Sequence, residues 1–79
     1  MPEAPYTGFR LEYSRSDISS PGGVLKVHYI TVAGSGNEAL TAVGDLVGRK
    51  KDVRIIASGR SVLEEAKERG LRLGDVSEL

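Results

Sequence analysis

The stretch Gly34-Ser-Gly-Asn37 lies between an apolar run and a helical pattern, and its residue types could bind an anion. Glycines at such a turn let backbone N–H groups approach a phosphate, and a helix N-terminus adds partial positive charge. Ser35 and Glu38 also have the spacing of a capping box, in which a serine and a glutamate side chain bind these N–H groups. The motif favours a structural turn, with Gly34, Ser35 and Gly36 as an alternative anion site.

Five basic residues and one acidic residue lie between positions 49 and 60. Cations just after a helix stabilise its C-terminal end, and the same cations could contact phosphates. A strand over residues 53–57 is about 17 Å long at ~3.3 Å per residue, so the cluster predicts a stripe rather than a compact patch. The candidate nucleic-acid contacts are Asn37, Arg49, Lys50, Lys51, Arg54, Gly59 and Arg60.

His28 is the sole histidine, and no nucleophile or acidic partner can be assigned to it from spacing. A histidine in a strand is more often hydrogen-bonded within the fold than catalytic. Tyr13 and Tyr29 could stack on bases, although packing within a sheet is the ordinary role of strand tyrosines. The sequence therefore predicts a protein that is not an enzyme and uses no cofactor or metal.

Composition restricts the classes of function further. The chain has 79 residues, 11 basic and 11 acidic, and no cysteine. Zero net charge argues against whole-surface attraction to nucleic acid or lipid, so any electrostatic function must be local. No apolar run approaches the roughly 20 residues that span a bilayer, and no signal-peptide core is present. We expect a cytoplasmic protein with no membrane partner.

The apolar pattern predicts three main strands and two helices in one domain. Residues 9–13 alternate as in a half-exposed strand, residues 24–32 form a longer β-rich run, and residues 53–57 form a short strand. Helices follow the turns at Ser35 and Ser61, each the start of a predicted capping box. Residues 71–73 are a candidate extra strand. We expect a disordered terminus at residues 1–7, a flexible loop at 14–23 and a loose tail at 74–79.

These elements predict an α+β or α/β fold, a small two-layer sandwich of order ββαβα with both helices packed on one mixed sheet. The second and third strands are expected to run parallel through a crossover helix, so that the turns after them open at one edge. Residues 9–14 are expected at the sheet edge, available to a partner strand.

Between residues 30 and 70, a strand, turn, helix, second strand and second helix follow one another. The residues at the diagnostic points of this pattern are Asn37, Leu40, Ala42, Gly59, Arg60, Val62 and Ala66. In these features the chain resembles the Alba family of small nucleic-acid-binding proteins. The resemblance implies a βαβα core, dimerisation and nucleic-acid contact through Arg60 and nearby bases. The chain departs from the family at residues 32–35, which lack its basic turn, and in its neutral charge.

Three functions follow from these observations. The leading hypothesis is a module that binds RNA or DNA mainly through phosphates. The first alternative is a non-catalytic protein–protein interaction or subunit-assembly domain, as a homodimer or with another partner, because a small chain has a thin core. The second alternative is a binder of a phosphate or nucleotide ligand at residues 34–37.

Overall fold

A four-stranded antiparallel sheet with two α-helices forms the fold, an α+β arrangement. The computed structural model describes residues 6–16, 18–19 and 21–79. Residues 1–5 of the expected disordered terminus, and Asp17 and Ser20 of the expected flexible loop, lie outside the described residues. The elements in chain order are β1 (Thr7–Ser16), β2 (Val24–Ala33), α1 (Gly36–Val47), β3 (Val53–Gly59), α2 (Arg60–Glu68) and β4 (Val76–Glu78), with 3₁₀ turns at Pro21–Gly23 and Lys50–Asp52.

The strand order β3-β1-β2-β4 corrects two sequence predictions. β1 pairs antiparallel with both β2 and β3. β2 and β3 therefore point the same way but are separated by β1, so the sheet is antiparallel rather than mixed. Residues 9–14 lie at the centre of the sheet and offer no free edge. Sequence periodicity carries no information on which distant strands pair, and this is why the strand's position was predicted wrongly.

The C-terminal strand also differs from its prediction. Residues 71–73 are not a strand, and β4 lies at Val76–Glu78 and pairs antiparallel with β2. Thr31 on β2 donates a 2.6 Å hydrogen bond to the carbonyl of Asp75 and so fixes the turn before β4. Part of the expected loose tail therefore belongs to the sheet.

The helices pack on opposite faces of the sheet. Odd-numbered β1 residues, such as Leu11, share a buried cluster with Val43 of α1. Even-numbered β2 residues, such as Ile30, share a second cluster with Leu63 of α2. Because successive side chains of a strand point to opposite faces, the two clusters lie on different sides. The predicted two-layer packing is thus replaced by a helix, the sheet and a second helix.

Gly8 lets α2 approach the sheet at backbone distance. A Cβ atom at this position would lie 2.3 Å from the Leu63 backbone nitrogen, so only glycine fits there. On the same face, Arg10 donates from Nη2 to both carboxylate oxygens of Glu65 at 2.7 and 2.6 Å. These contacts hold α2 over one end of the sheet and leave the other end of that face uncovered.

The two helix starts differ in their chemistry. At α1, Ser35 accepts a 3.2 Å hydrogen bond from the Glu38 N–H, as the capping pattern predicts. At α2, the strand runs directly into the helix through Gly59, whose φ of 122° suits glycine, and no side chain caps it. The predicted capping box at Ser61 is therefore wrong, because the helix already begins at Arg60.

Candidate functional site

Five polar side chains occupy the sheet face that α2 leaves uncovered. The register places Glu12 of β1 beside His28 of β2 and Arg54 of β3, and Ser14 beside Lys26. Their shared face follows from the strand alternation, since all five positions are even-numbered and pair directly. We call Glu12, Ser14, Lys26, His28 and Arg54 the open-face patch.

The Glu12 carboxylate organises this patch. Its Oε1 accepts from Arg54 Nη2 at 3.0 Å and from Ser14 Oγ at 3.3 Å. Its Oε2 lies 3.1 Å from His28 Nε2. Glu12 is buried, whereas the side chains of His28 and Arg54 are 48% and 70% exposed. One buried acid therefore holds two exposed basic groups in place on neighbouring strands.

The hydrogen bond from His28 is the largest influence that lowers the pKa of Glu12. Arg54 lowers this pKa further through its charge and its hydrogen bond, and Lys26 does so through its charge. Partial burial acts in the opposite direction and is outweighed. Glu12 is therefore ionised at neutral pH, and its negative charge attracts both neighbouring basic side chains.

A lowered pKa in the folded state means that ionised Glu12 stabilises the fold above its unfolded pKa, about 4.3 for glutamate. This contribution disappears as the pH falls through the lowered folded-state value. We expect the stability advantage of the wild type over Glu12→Gln to be present near pH 7 and to shrink by about pH 3. Urea unfolding at both pH values measures this difference.

Glu68→Gln is the matched control, since it removes an exposed carboxylate of α2. We expect its stability relative to the wild type to change little between the two pH values. An equally large gap between wild type and Glu12→Gln at both pH values would contradict the proposed role of the Glu12 carboxylate.

A basic loop joins the same end of the sheet. Arg49, Lys50 and Lys51 precede β3, whose first residue, Val53, pairs with Tyr13 next to the patch. In this loop, Arg49 Nη1 lies 3.9 Å from the Asp52 carboxylate. We call residues 49–51 the basic loop, and its three cations add to those of Lys26 and Arg54.

The basic loop also borders an open, mostly apolar pocket of ≈ 580 Å³. The pocket is lined by Leu40 of α1, Gly48 and residues 49–52. Lys50 packs its stem against α1, because a Cβ atom at Gly44 would lie 2.8 Å from the Lys50 Cβ. This close packing at Gly44 fixes the loop against the helix.

The remaining predicted contacts lie at the other end of the sheet. Gly59 pairs with Gly8 at the start of β1, and Arg60 follows it. Arg60 is 92% exposed, and its Nε lies 3.8 Å from Glu64. Six strand residues at ~3.3 Å each separate Arg60 from Arg54 by about 20 Å. The structure therefore brings Arg54 close to the basic loop and leaves Arg60 apart from both.

The Gly34–Asn37 turn is hydrogen-bonded to the side chain of the residue that follows it, Glu38. The Gly34 N–H donates a 2.9 Å hydrogen bond to Glu38 Oε2, whereas the predicted capping box directed this carboxylate to the Ser35 N–H. Ala33, the last residue of β2, and Gly59, the last residue of β3, both pair with the start of β1. The turns that follow β2 and β3 therefore lie at the same end of the sheet. Their helices leave on opposite faces, however, and a ligand at Gly34 would meet the Glu38 carboxylate. An anion site here stays a prediction.

Tyr13 and Tyr29 are buried in the cluster beneath α1. Burial is the main cause that raises the pKa of the Tyr29 hydroxyl. Their predicted packing role is confirmed, and neither ring is available to stack on a base. The open-face patch therefore offers charges and hydrogen-bond donors without an aromatic platform.

The patch contains a serine, a histidine and a glutamate but lacks the geometry of a catalytic triad. Ser14 and His28 each contact Glu12 rather than one another, whereas a triad needs a base within reach of its nucleophile. Among residues 6–16, 18–19 and 21–79, no cluster of three or more acidic, histidine or cysteine side chains could hold a metal ion.

Of the five patch residues, only Arg54 was predicted as a contact from the sequence. A pattern that marks the other four, Glu12, Ser14, Lys26 and His28, is nevertheless present in the sequence. Polar residues alternate with apolar ones in both strands: Glu12 and Ser14 in β1, Lys26 and His28 in β2. Alternation identifies a polar face, but the pairing that brings Arg54 onto the same face depends on the strand order.

Comparisons with known proteins yield no relative. A scan of family models, a search of curated proteins and a search of solved structures each return no match for this chain. None of the helices among the described residues has the length and apolar character required to cross a bilayer.

Proposed function

We propose that the protein is a nucleic-acid-binding module that contacts phosphates through the open-face patch and the basic loop. The observation that carries this proposal is the position of Arg54, which buried Glu12 holds on an uncovered sheet face beside Lys26 and His28. Preformed donors lose less conformational entropy on binding than mobile side chains do. The Alba-like resemblance and the predicted homodimer form part of the same proposal.

Local charge supports this function despite a net charge of zero. The patch and the basic loop hold five cationic side chains, against the carboxylates of Glu12 and Asp52. Both carboxylates already bind basic partners within the protein. Two carboxylates of α2 also have basic partners, since Glu65 binds Arg10 and Glu64 lies 3.8 Å from Arg60. The basic end of the sheet can therefore attract a phosphate chain.

The patch favours phosphate contacts over base reading. Base recognition in single strands relies on aromatic stacking, and the buried Tyr13 and Tyr29 cannot supply it. Arg54 and Lys26 are suited to phosphate oxygens because their donors are charged. We therefore propose binding with little sequence preference.

Equilibrium binding of the wild type to single-stranded RNA and to duplex DNA tests the proposal. We expect dissociation constants of about 10⁻⁴ to 10⁻⁶ M near physiological salt, with tighter binding as the salt is lowered. Oligonucleotides of unrelated sequence should bind with similar affinity. No detectable binding to either nucleic acid at low salt would contradict the function.

A further inference from the structure

We infer that His28 is a proton-dependent phosphate contact, so that the open-face patch binds a phosphate oxyanion more tightly when this imidazole is protonated. The inference rests on the proposed function and identifies a control on the same site. It depends on which ring nitrogen is held by Glu12 and which one is left facing solvent.

Glu12 fixes the tautomer of the neutral ring. An ionised carboxylate can only accept hydrogen bonds, and it lies 3.1 Å from His28 Nε2. The proton of neutral His28 therefore resides on Nε2, and Nδ1 carries a lone pair. Among the described residues no hydrogen bond to Nδ1 is formed, and the side chain is 48% exposed.

A bare Nδ1 lone pair repels a phosphate oxygen, whereas a protonated Nδ1 donates to it. Protonation thus converts one position of the patch from an acceptor to a charged donor while the Nε2 contact to Glu12 is kept. Lys26 lies two residues away on the same strand, about 7 Å along β2. One phosphate group could therefore contact both side chains.

Three charged side chains share the sheet face with His28: Glu12 on β1, Lys26 on β2 and Arg54 on β3. On the other side, β4 presents Ser77 to this face, and Glu78 pairs with Tyr29 and therefore belongs to the opposite face. A phosphate bound at this face places a further negative charge beside the imidazole, so phosphate binding and proton uptake favour one another.

The test compares wild type and His28→Gln in binding a single-stranded RNA at about pH 5.5 and pH 8, a range in which histidine ordinarily changes charge. Glutamine keeps an N–H that can donate to Glu12 but gains no charge in acid. One extra phosphate contact predicts roughly five- to tenfold tighter wild-type binding at the lower pH in ~0.1 M salt. His28→Gln should bind equally at both pH values.

The design separates the inference from the function on which it rests. Salt-dependent binding that is the same at both pH values, or an equal pH effect in His28→Gln, would overturn the role of His28 and leave the proposed function intact. Absence of binding at both pH values would contradict both. Because His28 is the sole histidine, a pH effect lost in His28→Gln identifies that ring. Thermal melting of both proteins checks that each is folded under the assay conditions.

Discussion

Gly8→Val is expected to lower the free energy of unfolding by about 3 kcal/mol or more, since overpacking a tight contact costs 1–3 kcal/mol and occasionally more. A Cβ atom at this position would lie 2.3 Å from the Leu63 nitrogen and 2.5 Å from the Val62 carbonyl carbon. Both atoms are backbone, so the clash cannot be relieved by a side-chain rotation. The whole of α2 must move away from the sheet or the fold must open.

Urea unfolding followed by circular dichroism measures this loss, with Gly36→Ala as the matched control. A Cβ atom at Gly36 would meet only the Cδ1 atom of Ile55, at 3.1 Å, and a side-chain terminus can shift. We expect Gly36→Ala to cost less than about 1 kcal/mol, as ordinary surface and small-volume changes do. Unfolding of Gly8→Val at the wild-type urea midpoint would contradict the placement of α2 on β1.

The double substitution Lys26→Ala/Arg54→Ala is expected to weaken nucleic-acid binding by about 25- to 60-fold in ~0.1 M salt, the effect of losing two phosphate contacts. Both side chains are exposed on the open-face patch, so neither supports the core. Glu12 keeps His28 and Ser14 as hydrogen-bond donors in this variant. The loss should therefore appear in binding and not in folding.

Lys67→Ala/Arg69→Ala is the matched control for this effect. It removes two exposed cations at the end of α2 and lowers the net charge by the same amount. We expect this control to bind within about threefold of the wild type, because neither residue belongs to the open-face patch or the basic loop and the salt screens charges that do not contact the phosphates, with a Debye length of about 10 Å. Equal weakening in the two double variants would indicate attraction to net charge alone and would contradict a localised site.

Much of the local structure could be predicted from the sequence. The alternation of Phe9, Leu11 and Tyr13 identified β1, and Ser35 with Glu38 identified the start of α1. These features depend on neighbours within a few residues. The strand order could not be predicted, because the pairing of β1 with β3 joins residues 40 or more positions apart. The placement of the helices on opposite faces of the sheet was also not predicted, and a two-layer packing was expected instead.

The candidate site shows the same division. Arg54 and the basic loop were identified from charge alone, since these cations are close to one another in the sequence. Glu12 was not, because an isolated glutamate in a polar strand face has no distinguishing neighbour in sequence. Its partners, His28 and Arg54, lie 16 and 42 positions away. Arg60 was predicted as a contact from the Alba-like resemblance, and the fold separates it from Arg54 and the basic loop.

The most direct test of a localised phosphate site is the slope of log affinity against log salt concentration for a single-stranded RNA. We predict a wild-type slope of roughly −3, from four cations that each contribute about −0.7. Three of them have no carboxylate contact among the described residues, and the fourth, Arg54, is 70% exposed although it donates to buried Glu12. These cations are Lys26, Lys50, Lys51 and Arg54. Lys26→Ala/Arg54→Ala should reduce the slope to about half, and Lys67→Ala/Arg69→Ala should leave it unchanged. A slope near zero for the wild type, or one that both double variants reduce equally, would contradict the account.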